Sequence, residues 1–266
     1  MQLQDKVVFL TGGSTGIGRC CAQAYAKEGA SVAVLALEKE QIDETIALLG
    51  AGHLGIVGNV ARSGEVAAAI RRTIDTYGRI DIIHNNAGIA HPSKPMHLTT
   101  EEEFDNLINV NIRGIYHTTL HGIAALKETS GTIINTSSLV GDIGQGLHAV
   151  YTATKGAVNA LTKSMAIDYA PDGIRVNAVA PAGVWTPMLK EWCREQPNAE
   201  TMEKYLDDIH VLGYCPDGDV VADACVFLAS AKAAFITGCI LPVSGGAELG
   251  YRSVLNEVTS KTQEQL

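Results

Sequence analysis

The chain has 266 residues, 46% of them hydrophobic, with a mean hydropathy of +0.11, enough apolar material for one large α/β core. Its formal charge of -9 and pI near 5.3 argue against a nucleic-acid or anionic-membrane surface, because a net acidic body is repelled by both. No charged leader precedes an apolar stretch, no run approaches ~18 apolar residues, and the six cysteines (20, 21, 193, 215, 225 and 239) lack zinc-ligand spacing. A cytoplasmic protein with reduced thiols and no metal is expected.

Lys6-Val7-Val8-Phe9-Leu10 reads as a strand that enters Thr11-Gly12-Gly13-Ser14-Thr15-Gly16-Ile17-Gly18, and a helical pattern follows to Lys27. Strand, glycine-rich turn and helix make the first half of a mononucleotide-binding unit. Glycines let the backbone approach a pyrophosphate, and the helix start offers free N-H groups at a positive dipole end. The glycine spacing, Gly-x-x-x-Gly-x-Gly, differs from the commoner dinucleotide fingerprint.

A second strand, Ser31 to Leu37, precedes a helix to about Leu49. The adenosine ribose belongs at the end of that strand, where an acidic side chain would accept from its hydroxyls. Ala36 stands there instead; Glu38, two residues on, is the substitute, while Lys39 would suit a 2'-phosphate. Leu54 to Gly58 reads as a third strand ending in Asn59, whose side chain can bond the adenine edge, and residues 63 to 77 as an amphipathic helix.

Ile80 to His84 is a fourth strand closed by Asn85-Asn86-Ala87-Gly88, which either lines a flat ligand or ties strand ends together. A long helix is expected over Glu101 to Leu126, with Asn111 inside it, a poor mid-helix residue that calls for a reason. Thr132 to Thr136 is a β-branched strand ending in Ser137 and Ser138, followed by a helix with Tyr151 and Lys155 four positions apart on one face. A phenol titrates near ~10, so it works as a base at neutral pH only beside a cation such as Lys155. Ser138 can then hold a substrate oxygen while Tyr151 moves the proton.

Ile174 to Val179 is a sixth strand, leading into Pro181-Ala182-Gly183-Val184-Trp185-Thr186-Pro187. Residues 185 to 213, polar and helical, read as a substrate lid. Another helix from Asp217 to Leu228, a seventh strand from Cys239 to Val243 and a loose tail of about 251 to 266 complete a single domain over 1 to 266.

Thr11-Gly12-x-x-x-Gly16-Ile17-Gly18, Asn85 to Gly88, Asn111, Ser138 thirteen residues before Tyr151, Lys155, and Pro181 through Thr186 together resemble the short-chain dehydrogenase/reductase family over essentially the whole chain. The resemblance implies a Rossmann-type, doubly wound sheet of seven parallel strands in the order 3-2-1-4-5-6-7. It implies Tyr151 as acid/base, Lys155 lowering its pKa and holding the nicotinamide ribose, Ser138 positioning substrate and Asn111 supporting a water relay to Lys155. Cofactor contacts are implied at Gly12, Thr15, Gly16, Ile17, Gly18, Glu38, Asn59, Val60, Asn86, Ala87, Gly88, Tyr151, Lys155, Pro181, Gly183, Val184 and Thr186. It also implies a homotetramer, paired through the helices around 101 to 126 and 151 to 169 and through the last strand.

NAD is favoured over NADP, since no arginine or lysine stands at Thr15 or Leu37 and Glu38 would repel a 2'-phosphate; were NADP the cofactor, Lys39 or Arg19 would read it. The segments from Ser137 to Gln145, Trp185 to Pro187 and Gly245 to Tyr251 resemble a group of 17β-hydroxysteroid and L-fucose dehydrogenases. His91, Gln145, His148, Trp185 and Trp192, with Ser138, are the candidate substrate residues. Three hydrogen-bonding side chains and two flat tryptophan faces suit a monosaccharide or polyol better than a steroid. The rival from another class is a cofactor-binding regulator on the same fold, which would not need Asn111, Ser138, Tyr151 and Lys155 together.

Overall fold

The first apolar run and the threonine after it, Val7–Thr11, form β1 and are buried at every position. A strand covered by helices on both faces requires this, which is why the run is continuous rather than alternating. The computed structural model describes residues 1–249; Tyr251 and the expected tail lie outside the described residues. In chain order follow α1 (Gly16–Lys27), β2 (Ser31–Ala36), α2 (Lys39–Leu49), β3 (Leu54–Val57), α3 (Ser63–Tyr77), β4 (Ile82–Asn85), α4 (Glu101–Ile108), α5 (Gly114–Thr129), β5 (Thr132–Thr136), α6 (Ala149–Tyr169), β6 (Arg175–Pro181), α7 (Pro187–Glu195), α8 (Met202–Ile209), α9 (Asp219–Ala229) and β7 (Ile240–Val243).

The seven strands lie in the order β3-β2-β1-β4-β5-β6-β7, and every pairing is parallel. This is the doubly wound architecture expected from the sequence. The order reverses between β1 and β4, so the crevice beyond their carboxyl ends is where such a sheet takes ligands. Successive strand residues serve opposite layers: Leu10 packs with Tyr25, Val34, Ile134 and Val226 under α1 and α9, whereas Phe9 packs with Ile70, Ile83, Leu126 and Val158 under α3, α5 and α6.

Beyond small shifts at element ends, three differences from the sequence expectation stand out. The helix expected over 101 to 126 is interrupted by a π-helical insert at Asn109–Arg113, between α4 and α5, and Asn111 is buried inside it. Such an insert widens the helix and re-aims its side chains, a device common at functional sites. β4 starts at Ile82 rather than Ile80 because the Asp81 carboxylate accepts from Val7 N at 3.0 Å and pairs with Lys6 and Arg79, clasping the strand's start to β1. The stretch from 188 to 213 is divided between α7 and α8, with a 3-10 turn at Ala199–Thr201 before α8. Among the described residues no helix is long and apolar enough to cross a membrane.

Candidate active site

The glycine turn owes its shape to close backbone approach. Gly12 sits at φ +64, and a Cβ there would lie 2.8 Å from Ala87 Cα; a Cβ on Gly18 would lie 2.0 Å from the Gly12 carbonyl oxygen. The turn is thereby pressed against the end of β4, where Asn86 Nδ2 donates to the carbonyls of Thr11 at 3.2 Å and Gly12 at 3.0 Å. At the start of α1, Thr15 makes no side-chain cap and the first turn holds no acid. Its amides are therefore available to an anion, unlike those of α4 and α7, which Thr100 and Thr186 cap.

A cleft of about 470 Å³ runs from this turn past Ala36, Leu37, Glu38, Gln41, Asn59 and Val60 to Thr136, Ser138, Tyr151 and Lys155. Glycines that admit a backbone, uncapped amides and an acidic side chain beside the turn fit a dinucleotide along this cleft.

At its far end α6 begins at Ala149, so Tyr151 and Lys155 fall in its first two turns. Lys155 is buried, and its Nζ donates to the Thr136 carbonyl at 2.8 Å. Burial pulls this ammonium down from its ordinary 10.5 to about 8. Burial pushes the Tyr151 phenol up, and its hydrogen bond with Ser138 works in the other direction. The expected lowering of the phenol by Lys155 is thus replaced by a rise: the ammonium lies 5.7 Å from the ring centroid and is directed at Thr136. Ser138 Oγ donates to the Pro181 carbonyl at 3.4 Å, on the neighbouring strand end.

Asn111 is engaged on almost every valence. Its Nδ2 donates to Ile89 O at 2.9 Å and Thr154 Oγ1 at 3.0 Å, while its Oδ1 accepts from Ile89 N at 2.9 Å. A Cβ on Gly88 would lie 3.3 Å from that Oδ1 and 3.5 Å from Lys155 Nζ. Asn111 therefore clamps the loop after β4 beside Lys155, and the second lone pair of Oδ1 is what it has left for a water.

The cleft is lined by Gly12, Thr15, Gly16, Ile17, Gly18, Glu38, Asn59, Val60, Asn86, Ala87, Gly88, Pro181 and Thr186, as well as Tyr151 and Lys155. Gly183 and Val184 do not line it. Val184 is buried in the core under α1 and α9, and a Cβ on Gly183 would touch His210, Leu206 and Cys215 instead.

Of the candidate substrate residues, Ser138 alone lines the cleft. His91 and Gln145 are exposed. His148 is buried, with Nε2 bonded to Ser93 Oγ at 2.8 Å and Nδ1 to Gly146 O at 2.9 Å, which leaves no ring nitrogen for a substrate. Trp185 and Trp192 pack on a small cluster of Cys193, Leu206 and Cys215. Sequence reasoning passed over Thr136, whose carbonyl holds Lys155, and the apolar wall of Ile89, Ala90, Val110 and Met188. Thr136 was signalled only by lying two residues before Ser138 on a strand end.

A family model described as enoyl-(acyl carrier protein) reductase matches residues 12–248. An L-fucose dehydrogenase of Bos taurus is 38% identical over 246 residues, 92% of this chain and 90% of the relative. The crystal structure of a 3-ketoacyl-(acyl-carrier-protein) reductase from Brucella melitensis complexed with NADH is 33% identical, with a TM-score of 0.85 over 92% of this chain and 99% of that one. The ligand-free aldohexose dehydrogenase of Thermoplasma acidophilum is 32% identical, with a TM-score of 0.86 over 94% and 97%.

Proposed function

The chain belongs to the short-chain dehydrogenase/reductase family of nicotinamide-dependent oxidoreductases, and from that premise we propose that it oxidises a hydroxyl of a monosaccharide of the L-fucose kind, or a related polyol, with NAD. The observation that carries this reading is the meeting of Ser138, Tyr151 and Lys155 at one end of a cleft whose other end is the glycine turn. When bound, the nicotinamide takes hydride from the reacting carbon or returns it.

Ser138 holds the substrate oxygen, and Tyr151 exchanges its proton. A phenol raised by burial is a proton donor at neutral pH, which favours reduction there, while oxidation needs the ionised form and quickens as pH rises. Lys155 brings an ammonium to 5.7 Å from the Tyr151 ring centroid and offers a donor for a ribose hydroxyl. Asn111 keeps the loop of Ile89 against them.

NAD is supported by the condition of the two cations that would otherwise read a 2'-phosphate. Arg19 pairs with Glu44 and bonds Ser14 O, and Lys39 pairs with Asp43, while Glu38 stands exposed at the cleft. The sugar rests on the L-fucose and aldohexose dehydrogenase relatives, since the polar side chains expected to greet it lie elsewhere. A second reading, a less polar secondary alcohol such as a hydroxysteroid, is favoured by the apolar wall of Ile89, Ala90, Val110 and Met188.

Absorbance at 340 nm across sugars, polyols and steroids, with NAD and NADP in parallel, tests both. Turnover of L-fucose or a related aldose with NAD is expected; preference for a steroid over every sugar, or for NADP, overturns the corresponding part. The homotetramer is carried by exposed apolar side chains on the expected pairing helices, Tyr116, Leu120 and Ile167, and a monomer by light scattering would count against it.

A further inference from the structure

His84 lies at 0% exposure in β4, between Leu10 of β1 and Ile134 of β5. Both ring nitrogens are engaged: Nδ1 is 3.1 Å from Tyr25 Oη on α1, and Nε2 is 3.0 Å from Thr136 Oγ1 at the end of β5. Cys225 Sγ, at 4.0 Å from Nε2, is at the outer limit of contact.

The direction of this chain follows from the chemistry of its ends. Asn86 Nδ2 faces two backbone carbonyls, those of Thr11 and Gly12, which only accept, so the amide orientation is settled and Oδ1 faces Thr136. An amide oxygen only accepts; the Thr136 hydroxyl therefore donates to it, at 3.3 Å. Thr136 Oγ1 must then accept from His84 Nε2-H. An imidazole with a single ring proton leaves Nδ1 as acceptor for the Tyr25 hydroxyl. Hydrogen bonds run one way, from Tyr25 through His84 and Thr136 to Asn86, and on to the glycine turn.

Thr136 is where the two halves of the site meet. Its hydroxyl orients the amide that closes the cofactor turn, and its carbonyl holds Lys155 Nζ. We propose that His84 is a positioning residue, acting from behind the sheet on Thr136 so that the glycine turn and the Lys155 ammonium are held in one register. This rests on the cleft serving as the nicotinamide site and does not depend on which alcohol is oxidised.

The test is His84→Met, which fills the volume without a donor, against His84→Gln, whose amide reaches about as far as Nε2. Three readouts are taken on the full chain: the dissociation constant of NADH by fluorescence without substrate, kcat with the best alcohol, and melting temperature. Loss of one orienting hydrogen bond is expected to weaken NADH binding and lower kcat by about tenfold each in the Met variant, with most of both recovered in the Gln variant. Thr136→Val, which removes only the hydroxyl, should reproduce the Met phenotype and add little to it in the double variant, because both break one chain. It also stands in if the Met variant does not fold.

Unchanged NADH binding and kcat in His84→Met or in Thr136→Val would overturn the proposal. So would losses that track melting temperature alone and that Gln does not rescue. NADH binding is read without an alcohol, so a wrong substrate assignment leaves that arm standing.

Discussion

Two regions face each other across the cleft, and they are held by different means. The floor, where β4, β5 and α6 meet, is a lattice of buried polar groups. Asn85 Nδ2 donates to Asn135 Oδ1 at 2.9 Å, Asn135 Nδ2 to Thr162 Oγ1 at 2.9 Å, and Thr118 Oγ1 to Asn85 Oδ1 at 2.6 Å. Such groups are costly to leave unpaired, so each fixes its neighbour. The proposed lid, by contrast, is two short helices, α7 and α8, resting on the small cluster of Cys193, Leu206 and Cys215. Its side chains answer mainly to one another. Positions on the floor are thus over-determined by buried hydrogen bonds, while α7 and α8 rest on a few apolar contacts.

The largest effect that would break this contrast is at Tyr151. Tyr151→Phe keeps the ring and removes the proton, so turnover should fall by at least ~100-fold with NADH binding retained; an active variant would remove the floor's claim to the chemistry.

Lys155 comes next. Its folded pKa of about 8 lies below the ordinary 10.5, so between those values the unfolded chain binds more protons than the folded one. Stability associated with this group therefore increases as pH rises through that window and is lost as pH falls toward 8. The stability of Lys155→Met relative to wild type should accordingly decline between pH 8 and pH 10, by an amount on the order of 2 kcal/mol. Parallel melting curves of the two proteins across that range would refute the buried ammonium.

Glu38→Gln, at the exposed rim, should weaken NAD by about tenfold and leave kcat alone, the effect of one charged hydrogen bond. Equal NAD affinity in the variant would move ribose recognition elsewhere. Smaller again, Trp192→Ala should hasten proteolysis within 185–213 and raise KM for the alcohol a few-fold at most, without touching NADH binding; a collapse of kcat would mean that lid and floor are coupled.

The smallest expectation is for Gln145→Leu. That side chain is exposed and outside the cleft, so sugar turnover should stay within about twofold, as for most surface changes. A large loss would restore it to the substrate site.

Features set by local spacing are legible in the residues alone. Continuous apolar runs dictate buried parallel strands, glycines at 12, 16 and 18 dictate a turn only a bare backbone can make, and four residues from Tyr151 to Lys155 on a helix dictate one shared face. Asn111 announced itself as an anomaly because a buried amide within a helix needs a partner, and the π insert and Ile89 are that partner's setting.

Contacts between distant segments are not. His84 and Thr136 stand 52 positions apart and meet only because β4 pairs with β5. His148 turned to Ser93 rather than to the cleft, and the two tryptophans turned to Cys193 and Cys215. Which way a loop side chain faces is settled by competition among neighbours distant in sequence, and a buried hydrogen bond or apolar contact outbids open solvent. No spacing along the chain records the outcome of that competition.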